Sequence, residues 1–196
     1  MTGLVLAGGE SRRMGTNKAF LQINGLPMVE RVIRTLRTIC GHVIVVTNSP
    51  DLYARYDVEI AGDAFNSRGA LVGIYSGLLR SRSDRSLVVA CDMPFLNAGL
   101  LSYMAGMAGD YDVVLPRVGD LIEPLHAVYS RELLPVIEDH LRRDQRRIRD
   151  ILAGIRIRYI REEEIDMFDP ARRSFLNLNT RKEYEEVTCS DLECRN

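Results

Sequence analysis

Unbroken apolar runs alternate along this chain with longer stretches of helical period. Gly3 to Leu6, His42 to Thr47 (HVIVVT), Ser86 to Ala90 (SLVVA) and Asp112 to Leu115 (DVVL) carry almost no polar interruption. Runs of that kind predict strands buried on both faces, as in a parallel sheet. Ile122 to Tyr129 alternates more and predicts an antiparallel or edge strand. Ile155 to Ile160 (IRIRYI) alternates apolar with basic residues, so one of its faces meets water. Apolar positions at helical spacing predict helices over Pro27 to Ile39, Ala70 to Leu79, Asn97 to Met107, Ser130 to Arg142 and Thr180 to Val187. Proline opens the first, and Asn97 and Thr180 stand where N-caps belong. The pattern predicts an α/β fold with three layers, a mostly parallel central sheet and helices on both faces. In such folds ligands sit beyond the carboxyl ends of the strands.

The chain has 196 residues, 46% hydrophobic and 27% charged, with a formal net charge of -1. That length suits one domain, read as residues 1–187 with a flexible tail at 188–196. The balanced charge argues against a nucleic-acid partner. No apolar run approaches the roughly 20 residues of a membrane span. The N-terminus lacks a basic segment followed by an apolar one. A cytoplasmic protein without membrane contact is expected. Cys40 and Cys91 lie in or beside apolar runs, whereas Cys189 and Cys194 form an isolated C-x4-C pair, a poor zinc signal without further ligands.

The richest chemistry follows the first predicted strand. Leu6 to Lys18 reads LAGGESRRMGTNK. Gly8 and Gly9 let the backbone turn tightly and bring N–H groups near an anion, while Arg12, Arg13 and Lys18 add positive charge. The combination suits a triphosphate, although it is neither a Walker A loop nor a dinucleotide fingerprint. Asp92 follows the run SLVVA and so stands at a carboxyl strand end. A carboxylate there can hold Mg2+ or turn the loop. Asn48 and Asp63 lie where loops leave short apolar runs.

These residues resemble a family. Leu6, Ala7, Gly8, Gly9, Ser11, Arg13, Met14, Gly15 and Lys18 match the L-A-G-G-x-S-x-R-M-G-x-x-K signature of the MobA nucleotidyltransferases, which include guanylyltransferases and cytidylyltransferases of the molybdenum cofactor. C-D-M-P-F at 91–95 resembles the family's C-D-x-P, whose Asp binds magnesium. S-R-G-A-L-V-G at 67–73 resembles its G-P-L-x-G, with Ala70 where proline is common. F-L-N-L-N-T at 175–180 resembles its F-x-N-x-N-T. The resemblance implies an Mg2+-dependent enzyme that transfers GMP from GTP to molybdenum-molybdopterin and releases pyrophosphate. It implies Arg13, Lys18 and Asp92 as catalytic residues and Leu6, Ala7, Gly8, Gly9, Lys18, Asn48, Asp63 and Asp92 as the nucleotide site. His126, Asn177 and Asn179 are implied at the acceptor, and Asp92 at the metal. Molybdoenzymes or other cofactor-biosynthesis proteins are the implied protein partners. A CTP-dependent relative, a sugar-phosphate nucleotidyltransferase and a GTP-binding delivery adaptor are the alternatives. The arginines between Asp139 and Arg161 read as a solvated face, or else as a positive rim for an anionic acceptor.

Overall fold

A computed structural model describes residues 1–8, 18–178, 180 and 183–185. Among them the elements run β1 (Thr2–Leu6), β2 (Gln22–Ile23), β3 (Leu26–Pro27), α1 (Met28–Arg37), β4 (His42–Val46), β5 (Glu59–Ala61), α2 (Ala70–Arg80), β6 (Arg85–Ala90), α3 (Ala98–Gly106), β7 (Val113–Val118), β8 (Leu121–Ile122), β9 (His126–Ser130), α4 (Leu134–Arg142), α5 (Ile148–Ile151), β10 (Ile157–Ile160) and α6 (Glu162–Asp166). The main sheet runs β10-β7-β9-β6-β1-β4-β5, with β8 attached to β7. β1 pairs in parallel with both β4 and β6, and β4 and β7 take parallel neighbours in β5 and β10. β9 lies antiparallel between β6 and β7.

The unbroken apolar strands follow from burial on both faces. Val5, Val45, Leu87, Val89 and Val128 face a layer built by Val32, Leu36, Leu100 and Leu101 of α1 and α3. Their sequence neighbours Leu4, Ile44, Val46, Val88, Ala127 and Tyr129 face Leu71, Ile74, Leu78 and Ile137 of α2 and α4. The period-two alternation of a strand therefore needs apolar side chains at every position. Asn97 caps α3 as predicted, its side-chain oxygen accepting from Leu100 N at 2.9 Å. Thr180 holds a reciprocal cap with Glu183: Thr180 N donates to Glu183 Oε2 at 2.9 Å, and Glu183 N to Thr180 Oγ1 at 3.2 Å.

Three expectations need adjusting. The predicted strand Ile122 to Tyr129 divides into β8 and β9; of its two expected readings β9 takes the antiparallel one, and it is interior to the sheet. Its five residues are all buried, including His126 and Ser130. The predicted helix from Ser130 opens as a short 3-10 turn at Arg131–Leu133, and α4 begins at Leu134. A hairpin, β2–β3, was not expected. Asn24 and Gly25 turn it with φ values of 52° and 79°, as a type I′ turn requires. The tail from residue 188, with Cys189 and Cys194, lies outside the described residues.

Candidate active site

Parallel pairing sets β1, β4, β5 and β6 side by side, so their carboxyl ends open onto one edge. The ladders extend past the strands there: Ala7 N donates to Val46 O at 2.9 Å and Cys91 N to Leu6 O at 3.1 Å. The loops after β1 and β6 are thereby held next to each other. Beyond them is a cavity of about 430 Å3, whose wall includes Leu6, Gly8, Lys18, Asp63, Gly69 and Asp92. Residues far apart in sequence, singled out for phosphate, base and metal, thus share one cleft.

Lys18 begins a 3-10 turn at Lys18–Phe20, and its Nζ meets Asp92 Oδ2 at 2.5 Å. Both side chains are mostly withdrawn from water, 20% and 13% exposed, so the pair is not a freely solvated surface contact. Asp63 is clamped by Asn48. Asn48 Nδ2 donates to Asp63 Oδ2 at 2.7 Å, and Asp63 N donates to Asn48 Oδ1 at 2.9 Å. These two hydrogen bonds fix the carboxylate at the cavity wall. Asn48 itself therefore acts by holding Asp63. Ala7 is buried, and its N–H is spent on Val46.

The start of α2 closes another side. Gly69 has φ 147° and ψ 158°, a backbone position that favours glycine, and Gly69, Ala70 and Gly73 all line the cavity. Ala70, which replaces the family's proline, is the first helical residue, where proline is tolerated but not required. Arg68 and Leu125 complete features of the wall that sequence reading did not select. Cys91 also lines it, but burial pushes its thiol up to about 12, with the neighbouring Asp92 charge adding to the effect. A neutral, buried thiol is neither a nucleophile nor a ready metal ligand.

The acceptor candidates are placed differently. Asn177 donates weakly to Phe175 O at 3.4 Å, and its neighbour Leu178 N donates to Asp92 O at 3.1 Å. The FLNLNT segment thus docks on the Asp92 loop. His126 is fully buried, on the strand face shared with Val128, with its ring edge-on to Phe175 at 5.0 Å between centroids. Neither ring nitrogen has a hydrogen-bond partner among the described residues, and burial lowers its pKa to about 4 despite the nearby Asp169. The structure therefore does not bring His126 into the cavity. Gly9, Arg13 and Asn179 lie outside the described residues.

One feature near the site was not anticipated. Glu123 is half-buried in the turn before β9. Burial, and after it the charge of Asp92, raises its pKa, while a hydrogen bond from Leu125 N opposes the rise. Much of the arginine-rich stretch is ion-paired: Arg142 with Glu138, Arg143 with Asp139, Arg146 with Asp144, Arg156 with Asp112 and Arg158 with Glu164. Arg146 also passes within 4.0 Å of where a Cβ on Gly69 would stand, bringing that stretch to the cavity's rim.

The profile of the MobA-like NTP transferase domain matches residues 3–163. The chain belongs to that family. It is 40% identical to the molybdenum cofactor guanylyltransferase of Desulfosudis oleivorans, covering 95% of this chain and 94% of that protein. It is 36% identical to the protein of the same name from Syntrophotalea carbinolica, over 94% of this chain and 89% of that one. Among solved structures, molybdopterin-guanine dinucleotide biosynthesis protein A from Archaeoglobus fulgidus superposes with a TM-score of 0.85 at 27% identity, covering 97% of this chain and all of the other. The matched span contains the glycine loop, Asn48, Asp63, Asp92 and His126, whereas the FLNLNT segment lies beyond it. Among the described residues no group of three or more His, Cys, Asp or Glu is placed to hold a metal ion. A single carboxylate on the wall of this cavity fits Mg2+, which commonly takes one or two protein carboxylates and completes its shell with phosphates and water.

Proposed function

We propose that this nucleotidyltransferase joins GMP from GTP to molybdenum-molybdopterin, forming the guanine dinucleotide form of the cofactor and releasing pyrophosphate. The observation that carries this reading is the shared cleft: Lys18 and Asp92 in contact at one wall and the Asn48–Asp63 clamp at another. The relatives' names agree with it. In the reaction, an oxygen of the acceptor phosphate forms a bond to the α-phosphorus in line, and the bond from that phosphorus to the β-bridging oxygen breaks. Two anions must meet, so charge neutralisation and positioning matter more than proton transfer. Gly8 and Gly9 offer backbone room and N–H donors. Lys18 and Arg13 offset phosphate charge, and Asp92 would hold Mg2+, which when bound supplies further charge stabilisation.

The fixed Asp63 carboxylate supports the choice of guanine in this reading. It can accept from guanine N1–H and the exocyclic amine together, a pair that adenine and cytosine do not present. Asn48 keeps it oriented for that task. The cavity volume of about 430 Å3 is within the usual range for a small-molecule site. The protein acts in the cytoplasm, where it would meet molybdoenzymes or other cofactor-biosynthesis proteins.

The test is a binding titration of the purified protein with GTP, CTP, ATP and UTP, each with and without Mg2+. GTP binding that tightens with Mg2+ supports the reading and leads to an assay of product formation with molybdenum-molybdopterin. Preference for CTP would replace guanine with cytosine in it. Binding of no nucleotide would overturn it.

A further inference from the structure

Glu123 stands where a carboxylate is costly unless a ligand uses it. β6 and β9 pair antiparallel with Val89 opposite His126, and the ladder continues as Ala90 N donates to Leu125 O at 3.1 Å. Beyond that bond both chains turn, Met93 N donating to Ala90 O at 3.3 Å, and the turns bring the Glu123 carboxyl within the field of Asp92. Two links hold its backbone in place: Glu123 N donates to Pro116 O at 3.1 Å and His126 N to Glu123 O at 3.2 Å. Its Oε1 accepts a long bond of 3.4 Å from the N–H of Leu125, a residue of the cavity wall. Among the described residues, no Lys, Arg or His acts on the Glu123 carboxyl, which instead feels the like charge of Asp92. A half-buried carboxylate so placed weakens binding of a phosphate at the same spot, and favours a group that donates hydrogen bonds.

We propose that Glu123 is an acceptor-recognition residue, its carboxylate taking hydrogen bonds from N–H donors of the reduced pterin while the acceptor's phosphate lies towards Lys18. This rests on the guanylyltransferase reading above. The acceptor has the required polarity: an anionic phosphate at one end and a ring system rich in N–H groups at the other. Glu123 distinguishes those ends, turning the phosphate towards the Lys18–Asp92 wall. A pterin delivered backwards would set its phosphate against the Glu123 carboxylate.

The experiment compares wild type with Glu123→Gln and Glu123→Asp. Gln keeps an oxygen for Leu125 N–H and so preserves the turn, but loses the charge. Asp keeps the charge and withdraws it by one methylene, and remains informative if the Gln variant fails to fold. Magnesium-dependent GTP affinity is measured by titration, and KM and kcat by product formation with molybdenum-molybdopterin. The expected result is an acceptor KM raised about 10-fold or more in both variants, the scale of a lost hydrogen bond to a charged group. GTP affinity and its magnesium dependence should stay within about twofold, well inside one such bond. An unchanged acceptor KM overturns the proposal. So does weakened GTP or magnesium binding, which would place Glu123 in the nucleotide site. If wild type binds GTP and forms no product with this acceptor, the reading of function fails and the proposal falls with it. If product forms normally and only the variants' KM stays unmoved, the proposal alone fails.

Discussion

Two glycines one helical turn apart in α2 separate the demands of ligand from those of packing. A glycine inside a helix is about 0.8–1 kcal/mol less favourable than alanine, so each needs a reason. At Gly77 the reason is the sheet. A Cβ there would lie 2.7 Å from Leu4 Cδ1 and 3.1 Å from Val46 Cγ2, and both of those side chains are buried. At Gly73 a Cβ would meet Leu6 Cδ2 at 3.4 Å, the close end of ordinary contact, and both residues line the cavity proposed to hold the nucleotide. Gly77→Ala should therefore introduce about 1–3 kcal/mol of overpacking against about 1 kcal/mol of helix propensity, for a net loss of up to about 2 kcal/mol. Gly73→Ala should leave stability unchanged or raise it by up to about 1 kcal/mol, since only the propensity gain remains. Its methyl occupies the cavity wall, and GTP affinity should fall about 10-fold, equivalent to about 1.4 kcal/mol. Urea unfolding supplies the stabilities, compared at equal m-values, and nucleotide titration the affinities. If Gly73→Ala binds GTP as wild type does, or unfolds more easily than Gly77→Ala, the division of labour between these glycines is wrong.

The His126 ring, buried and neutral with its pKa lowered to about 4, should make the fold acid-sensitive. The unfolded chain takes up its proton below about pH 6.5 and the folded one does not. The stabilisation is therefore complete above 6.5 and is lost as pH falls towards 4, by about 3 kcal/mol. Urea midpoints at pH 7.5 and 5 should show that slope in wild type and a shallower one in His126→Phe; equal slopes would refute it. Asn48→Ala should leave Asp63 in place but unclamped, so the preference for GTP over ATP should fall about 10-fold, on the scale of one hydrogen bond to a charged group. Unchanged selectivity in competition binding would remove the clamp from base recognition. Lys18→Ala should lower turnover about 100-fold or more with circular dichroism unchanged, as loss of a charge-stabilising contact does elsewhere. Near-normal turnover would take Lys18 out of the mechanism.

What could be read along the chain was whatever depends on neighbours in sequence. The apolar runs at Val43–Val46 and Leu87–Ala90 declare burial on both faces, and the cap at Asn97 declares where α3 begins. One local signal went unread: Asn24-Gly25 between Gln22-Ile23 and Leu26-Pro27 is a strong two-residue hairpin sign, obscured because each arm has only two residues. For β9 the alternation pointed to an antiparallel strand, as observed, but with His126 and Ser130 buried as well nothing in the pattern marks it as interior to the sheet.

The site depends on partners that spacing along the chain cannot choose. Lys18 and Asp92 are 74 residues apart and meet because β1 and β6 are parallel neighbours. Asn48 and Asp63 each look like turn residues, and only the pairing of β4 with β5 makes them a clamp. Glu123 is the clearest case. Nothing local distinguishes it from other solvent-facing glutamates, and motif comparison draws attention to His126 three residues later. The antiparallel register of β9 against β6 reverses that emphasis: it buries His126 beneath Phe175 and carries Glu123 to the carboxyl edge beside Asp92. The single antiparallel strand inserted between two parallel groups is therefore more than a variation in topology. A parallel strand at that position would present its C-terminal end at the edge; an antiparallel one presents its N-terminal turn. That turn supplies Leu125 to the cavity wall and holds Glu123 next to it, so the direction of β9 decides which residues stand beside the Asp92 loop.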